Sequence, residues 1–347
     1  MSKNYFSLRT LKALFTLKIN YLKDAILVFP YRVLRPSLAY DNIFVTANTI
    51  ENAFLKGLEY LQRQQFQDGS LKGFLLYPGA STSWISSHVA FVLENCTPAN
   101  NLCLRIAKYL TMSGADDGGW GYNRFVSIDN DSTAQALMVL DNCKINYHYF
   151  ILENLVKRQH NNGGFTTYAY ESNTTNAWQI PHPDVTLVVL ELLKRQGGFK
   201  KEVERGERWL MTMRSNGVVK NYWWGNNSYS IWAQAKCNYL YELDKDNFAE
   251  FVNTFTSIPE LAMITRMGVL IGMGYDVALD IVNILLSSQL RDGSWPCSPI
   301  LRVTSQKSYF NSEDHLTGKL FSDYYRSFST AHCINALDIL KKYLSSF

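Results

Sequence analysis

The chain has 347 residues, 47% hydrophobic and 18% charged, which is apolar material for one large core or two ordinary ones. A formal net charge of only +4, with no basic stripe, argues against nucleic acid, and no apolar run approaches the roughly 18 residues of a membrane span. The six cysteines lie far apart with no CxxC pair, so a zinc knuckle or disulfide scaffold is not expected, and the thiols read as reduced in a cytoplasmic protein.

Residues 1–45 form a basic arm. Up to residue 40 it holds Lys3, Arg9, Lys12, Lys18, Lys23, Arg32 and Arg35 against Asp24 alone, so the rest of the chain is slightly acidic. Such an arm can rest on anionic lipid as a peripheral membrane contact, or pack as an amphipathic helix on its own domain. It has no signal-peptide pattern.

Residues 46–347 read as repeats. Gln65-Phe-Gln-Asp-Gly69-Ser-Leu71, Gln159-His-Asn-Asn-Gly163-Gly-Phe165 and Gln289-Leu-Arg-Asp-Gly293-Ser-Trp295 share one form. Gly118-Gly119-Trp120 and Gly217 are fainter copies, and periods near 45–55 suit a helix-loop-helix unit. Helical apolar spacing then predicts six first helices, near 48–64, 99–112, 147–159, 201–214, 246–257 and 277–290. Six second helices follow them, near 82–95, 131–142, 183–195, 228–242, 259–272 and 327–344. The second helices are apolar all round, as in ALMVL and VTLVVLELL, and so belong inside. The first helices carry charge, as in KEVERGERWLMTMR, and belong outside. The expected fold is all-α: a single (α/α)6 toroid with its joining loops gathered at one end, around a central cavity.

One stretch adds chemistry. Asp116 to Ala134, DDGGWGYNRFVSIDNDSTA, runs from a glycine-aromatic turn into Asp129 and Asp131 at an inner-helix start. Two aspartates so placed can share one proton, because burial and a neighbouring carboxylate both favour the protonated form. Ser132 could steady whichever is left charged. The plain reading is that Asp131 is an ordinary N-cap and Asp129 a turn residue. The chain's 48 aromatic residues (21 Tyr, 19 Phe, 8 Trp) exceed what a core needs, so some should line the cavity. Trp84, Tyr168, Trp178, Trp223, Trp224, Trp232, Tyr324 and Phe328 fall near loops or inner-helix starts and are the expected wall. His182 and Asp184 bracket Pro183; they either face the cavity and bond the acid, or form a cap with Pro at N1. His88 and His332 read as core histidines.

The repeated turns resemble the QW motifs of the squalene cyclase and protein prenyltransferase superfamily, over about residues 48–344. The resemblance implies structural roles for Gln65, Gln159, Gln289, Trp120, Phe165 and Trp295. DNDST resembles the DxDD motif of class II terpene cyclases, with Ser132 in place of the last aspartate. It implies that Asp131 is the proton donor, aided by Asp129, in a cyclase acting on a hydrophobic isoprenoid substrate with no cofactor and no metal. The prenyltransferase zinc site fits poorly: Asp131 stands where its cysteine belongs, and Arg326 follows Tyr325 where its histidine region falls. A lipid- or peptide-binding toroid without chemistry, or a metal-independent prenyl transferase, stays open.

Overall fold

The computed structural model describes residues 45–115, 118–169, 176–215, 217–239, 255–306 and 318–347. The basic arm, but for its last residue, lies outside them, as does most of the helix expected at 246–257.

Eleven helices are described. The outer ones are α1 (Ala47–Gln64), α3 (Asn100–Ser113), α5 (Phe150–Val156), α7 (Lys200–Thr212) and α10 (Tyr275–Ser287). The inner ones are α2 (Ser83–Leu93), α4 (Asn130–Asn142), α6 (Pro183–Gln196), α8 (Ser228–Lys236), α9 (Ile258–Leu270) and α11 (Ser327–Leu344). The inner helices touch in the order α2, α4, α6, α8, α9, α11 and back to α2, which closes a ring.

Their sequences explain the two layers. Every residue of α2 is buried, which a helix without a polar face requires. On α7 only Gly206 and Leu210 are buried, and the charged remainder faces water. Helix α8 stops at Lys236, short of the expected residue 242: Asn238 adopts a left-handed conformation (φ 56°), as Asn readily does past a helix end.

The repeated turns share one device. Gln65, Gln159 and Gln289 each donate to the carbonyl of the glycine four residues on. Each also donates to a carbonyl of another outer helix: Leu102, Glu202 and Ala53 respectively. Gly293 has φ 92°, and a Cβ there would lie 2.3 Å from the Lys56 carbonyl oxygen, so no other residue fits. Because Ala53 and Lys56 belong to α1, this last turn ties the end of the ring to its beginning. Trp120 and Trp295 are buried and donate to the carbonyls of Leu110 and Leu285 in the preceding outer helices.

Strands were not expected. Two short hairpins, β1–β2 (Leu75–Leu76, Gly79–Ala80) and β3–β4 (Arg214–Ser215, Val218–Val219), lie in the upper loops. A longer hairpin pairs β5 (Pro299–Thr304) with β6 (Gly318–Ser322). It docks on the loop before α8, with Arg302 N donating to the Trp223 carbonyl at 2.7 Å and Gly225 N to that of Ile300 at 2.8 Å. At the opposite, lower end, Glu94 accepts both guanidinium nitrogens of Arg195 and lies 2.7 Å from Lys236 Nζ. No described helix is long and apolar enough to cross a membrane.

Candidate active site

The loops at the upper end enclose a cavity of about 470 Å³, within the range of small-molecule sites. Its lining is almost wholly apolar. Trp84, Trp178, Trp223, Trp224 and Tyr168 are all in its wall, as expected. Four other expected residues are not. Phe328 and Trp232 are fully buried behind the wall: Phe328 stacks on Trp84 and Trp224, and Trp232 packs against Tyr229 and His332. Tyr324 belongs to a small satellite cluster with Leu75 and Ala80. His182 lies one layer back, for the reason given below. Phe328 and Trp232 lie on inner helices, and the direction of each around its helix turns it into the packing.

Asp129 is the N-cap of α4, correcting the plain reading that gave this place to Asp131. The Asp129 carboxylate accepts Ser132 N at 2.7 Å on one oxygen and the Ser132 hydroxyl at 2.8 Å on the other. Asn130, between the aspartates, anchors the helix start: its backbone N–H bonds the Thr167 carbonyl and its side-chain amide that of Thr166. That leaves Asp131 at the second helical position, half-buried and facing the cavity, with Trp84 Nε1 donating to its Oδ2 at 2.8 Å.

The two carboxyls are hydrogen-bonded to each other. Burial pushes Asp129 well above the usual carboxylate range, and the neighbouring Asp131 adds to this; the two bonds from Ser132 oppose it without cancelling it. Burial and the like charge thus both favour the protonated form of Asp129. Tyr168 and Tyr229, also in the wall, are held protonated, by burial first and then by the nearby aspartates.

Beneath the wall the histidines are neutral. Burial drives His88 down to about 3 and His332 well below its ordinary value. His88 Nε2 meets His332 Nε2 at 3.0 Å, so one donates and the other accepts. His88 stacks on Trp84 with ring centroids 4.9 Å apart. The floor of the cavity thus presents ring faces and no cation.

His182 does not face the cavity. Its Nε2 bonds the Ala177 carbonyl, which leaves Nδ1 to accept from the Thr167 hydroxyl at 2.7 Å, and Thr167 in turn accepts Trp223 Nε1 at 2.8 Å. His182 therefore fixes a wall residue through Thr167. Asp184 does line the cavity, at the second position of α6; its Oδ2 accepts the backbone N–H groups of Tyr222 and Trp223, and none of its hydrogen bonds reaches the acid pair.

Some lining residues escaped the sequence reading. Tyr122 and Tyr229 were available signals, the first two residues beyond Trp120, the second in the first turn of an inner helix. Leu301, Val303 and Phe321 come from the long hairpin. The period-2 alternation of LRV at 301–303 was its trace. Among the described residues no group of three or more His, Cys, Asp or Glu side chains could hold a metal ion.

Solved structures share this architecture. The type II terpene cyclase MstE from Scytonema, in complex with its product merosterolic acid A, superposes with TM-score 0.72 at 19% identity, over 86% of this chain and 99% of that one. The fold is that of the type II terpene cyclases. MstE in complex with its substrate geranylgeranyl dihydroxybenzoate gives 0.71 at 18% identity over the same shares. A protein from Actinoplanes gives 0.68 at 22%, over 84% of this chain and 99% of that one. No protein-family model matches the sequence, and no curated protein matches it either.

Proposed function

We propose that the protein is a protonation-initiated cyclase acting on a polyprenyl or prenylated aromatic substrate. One observation carries this reading: a pair of neighbouring carboxyls, one of them buried and pushed toward its protonated form, opens into an apolar, ring-lined cavity. Water does not protonate an alkene at neutral pH, whereas a buried carboxylic acid can. Asp131 is the donor, because Asp129 has both oxygens engaged by Ser132 and Asp131 is the more open of the two.

In the reaction the Asp131 O–H bond breaks and the proton goes to the terminal group, forming a C–H bond on an alkene, or an O–H bond on an epoxide whose C–O bond then opens. Remaining double bonds then close rings onto the cation, and a final proton loss restores neutrality. The carboxylates left behind are steadied by Ser132, by the Trp84 N–H and by the N-terminus of α4. Each ring face near the travelling cation contributes about 0.5–2 kcal/mol. The neutral His88–His332 pair below adds no repulsion. The terpene cyclase fold, and the prenylated ligands of MstE, agree with this chemistry.

A non-catalytic binder called for an open cavity with solvated aspartates, but Asp129 is 4% exposed. A diphosphate-ionising transferase called for cations, and the described cavity wall carries three carboxyls and no Lys or Arg.

The test is incubation with farnesyl, geranylgeranyl and prenylated aromatic substrates in deuterium oxide. The expected result is a cyclic isomer carrying one deuterium, absent with Asp131→Asn. Cyclic products that persist in Asp131→Asn contradict the proposal.

A further inference from the structure

Asp131 and Asp184 occupy the same position, the second residue, of adjacent inner helices. Both face one cavity, yet they are held differently. Asp129, the partner of Asp131, has both oxygens bonded. Asp184 is 3% exposed and uses only Oδ2, on Tyr222 N at 3.2 Å and Trp223 N at 2.8 Å. Its Oδ1 is buried and meets no hydrogen-bond donor among the described residues.

A carboxylate that served only to hold the 222–223 backbone would need no second oxygen left without a partner beside an apolar cavity, where an unsatisfied polar atom is costly. The backbone is also gripped from its other side: Arg302 Nε donates to the Tyr222 carbonyl at 3.0 Å and Nη2 to that of Asn221 at 3.1 Å. The loop is therefore clamped, and the bare oxygen is rigidly placed. Asp184 and Asp131 line one cavity, near enough that the charge of Asp131 bears on Asp184.

We infer that Asp184 Oδ1 is the base that ends the cyclisation, taking a proton from the carbon beside the last cation. This rests on the cyclase reading and extends it to the product. The C–H bond breaks, its electron pair becomes the new C=C, and an O–H bond forms on Asp184. The acid pair has lost one proton and Asp184 has gained one, so the conversion is an isomerisation with no co-reactant, and the proton returns through water once product leaves. The charge states suit these roles. Burial raises the Asp184 carboxyl to about 6, with the Trp223 N–H opposing and the charge of Asp131 adding. It is therefore mostly ionised at neutral pH, while burial and the adjacent carboxyl push Asp129 further toward its protonated form, which separates base from acid.

Asp184→Asn is the discriminating variant, because the amide oxygen can still accept Tyr222 N and Trp223 N while losing the basic oxygen. With the substrates above, the variant is expected to close the same first ring but to release alcohols from water capture, or shifted alkene isomers, in place of the wild-type alkene. An unchanged alkene in unchanged proportion overturns the inference. A second measurement needs no turnover: binding of N-decyl decahydroquinoline, a tertiary ammonium that mimics a bicyclic cation. Wild type is expected to bind it at least tenfold more tightly than Asp184→Asn. Equal affinities overturn the inference, whereas wild type failing to bind it contradicts the cyclase reading itself.

Discussion

The two ends of the barrel treat buried charge in opposite ways. At the lower end burial alone would push the Glu94 carboxyl up, but the hydrogen bonds from Arg195 and the charge of Lys236 hold it below its usual value. Lys236 is 2% exposed and lies over the Phe91 ring as well as beside Glu94. At the upper end Asp129, Asp131 and Asp184 gather with no cation in the described wall, and Asp129 and Asp184 are raised instead. The same inner helices supply both ends. The lower charges are paired directly with cations, as a structural plug should be; at the upper end Arg302 bears on Asp184 from behind the wall, and raised carboxyls gathered in a cavity mark a candidate site.

Substitutions should separate the two ends. Asp131→Asn is expected to lower turnover by at least about 10³-fold while unfolding near the wild-type denaturant midpoint, as read by product assay and denaturant titration. Glu94→Ala should do the reverse. It leaves Lys236 without its carboxylate and Arg195 with Glu191 alone, and should cost about 3–5 kcal/mol of stability in denaturant titration, with no change of product. Should Glu94→Ala change the product instead, the division between plug and site is wrong.

The pH dependence sharpens the contrast. Asp184 has a folded value near 6, above its ordinary 3.8, so the stability it contributes is full below about 4 and is lost as pH rises through 6. Asp184→Asn escapes this loss. Its stability relative to wild type should rise by up to about 3 kcal/mol between pH 4 and pH 7.5. Glu94 runs the other way: its folded value is lowered, so its contribution holds at neutral pH and disappears in acid. Thermal unfolding across this range in wild type and both variants reads the two signs. A smaller effect is expected of Trp84→Phe. It keeps a ring in the wall but removes the 2.8 Å hydrogen bond to Asp131, and should lower kcat about 10- to 100-fold with little change in KM.

The toroid was legible because its signals are long and redundant. Three Gln-to-Gly turns, with fainter copies and an apolar helix such as 183–196 between them, admit few other folds. The carboxyl pair was legible as a spacing, but which of the two caps α4 was not. Which aspartate caps α4 depends on the chain direction at residues 129–130, which the Asn130 anchors to Thr166 and Thr167 set from 36 residues away. The wall was legible only in part. Trp84 and Phe328 both sit in the first turn of an inner helix, yet one faces the cavity and the other packs behind it, a matter of rotation about the helix axis that composition does not carry. The long hairpin left one short alternating run as its trace, too brief to outweigh a loop reading.

The most direct measurement is infrared spectroscopy of the resting enzyme, following the carbonyl stretch of protonated carboxyl groups at neutral pH. Wild type should show such a band at pH 7, and the Asp129→Asn, Asp131→Asn double variant should lose intensity from it, leaving the part that buried Asp323, raised to about 7, supplies. A wild-type spectrum at pH 7 with every carboxyl ionised would contradict the stored proton on which the proposed chemistry depends.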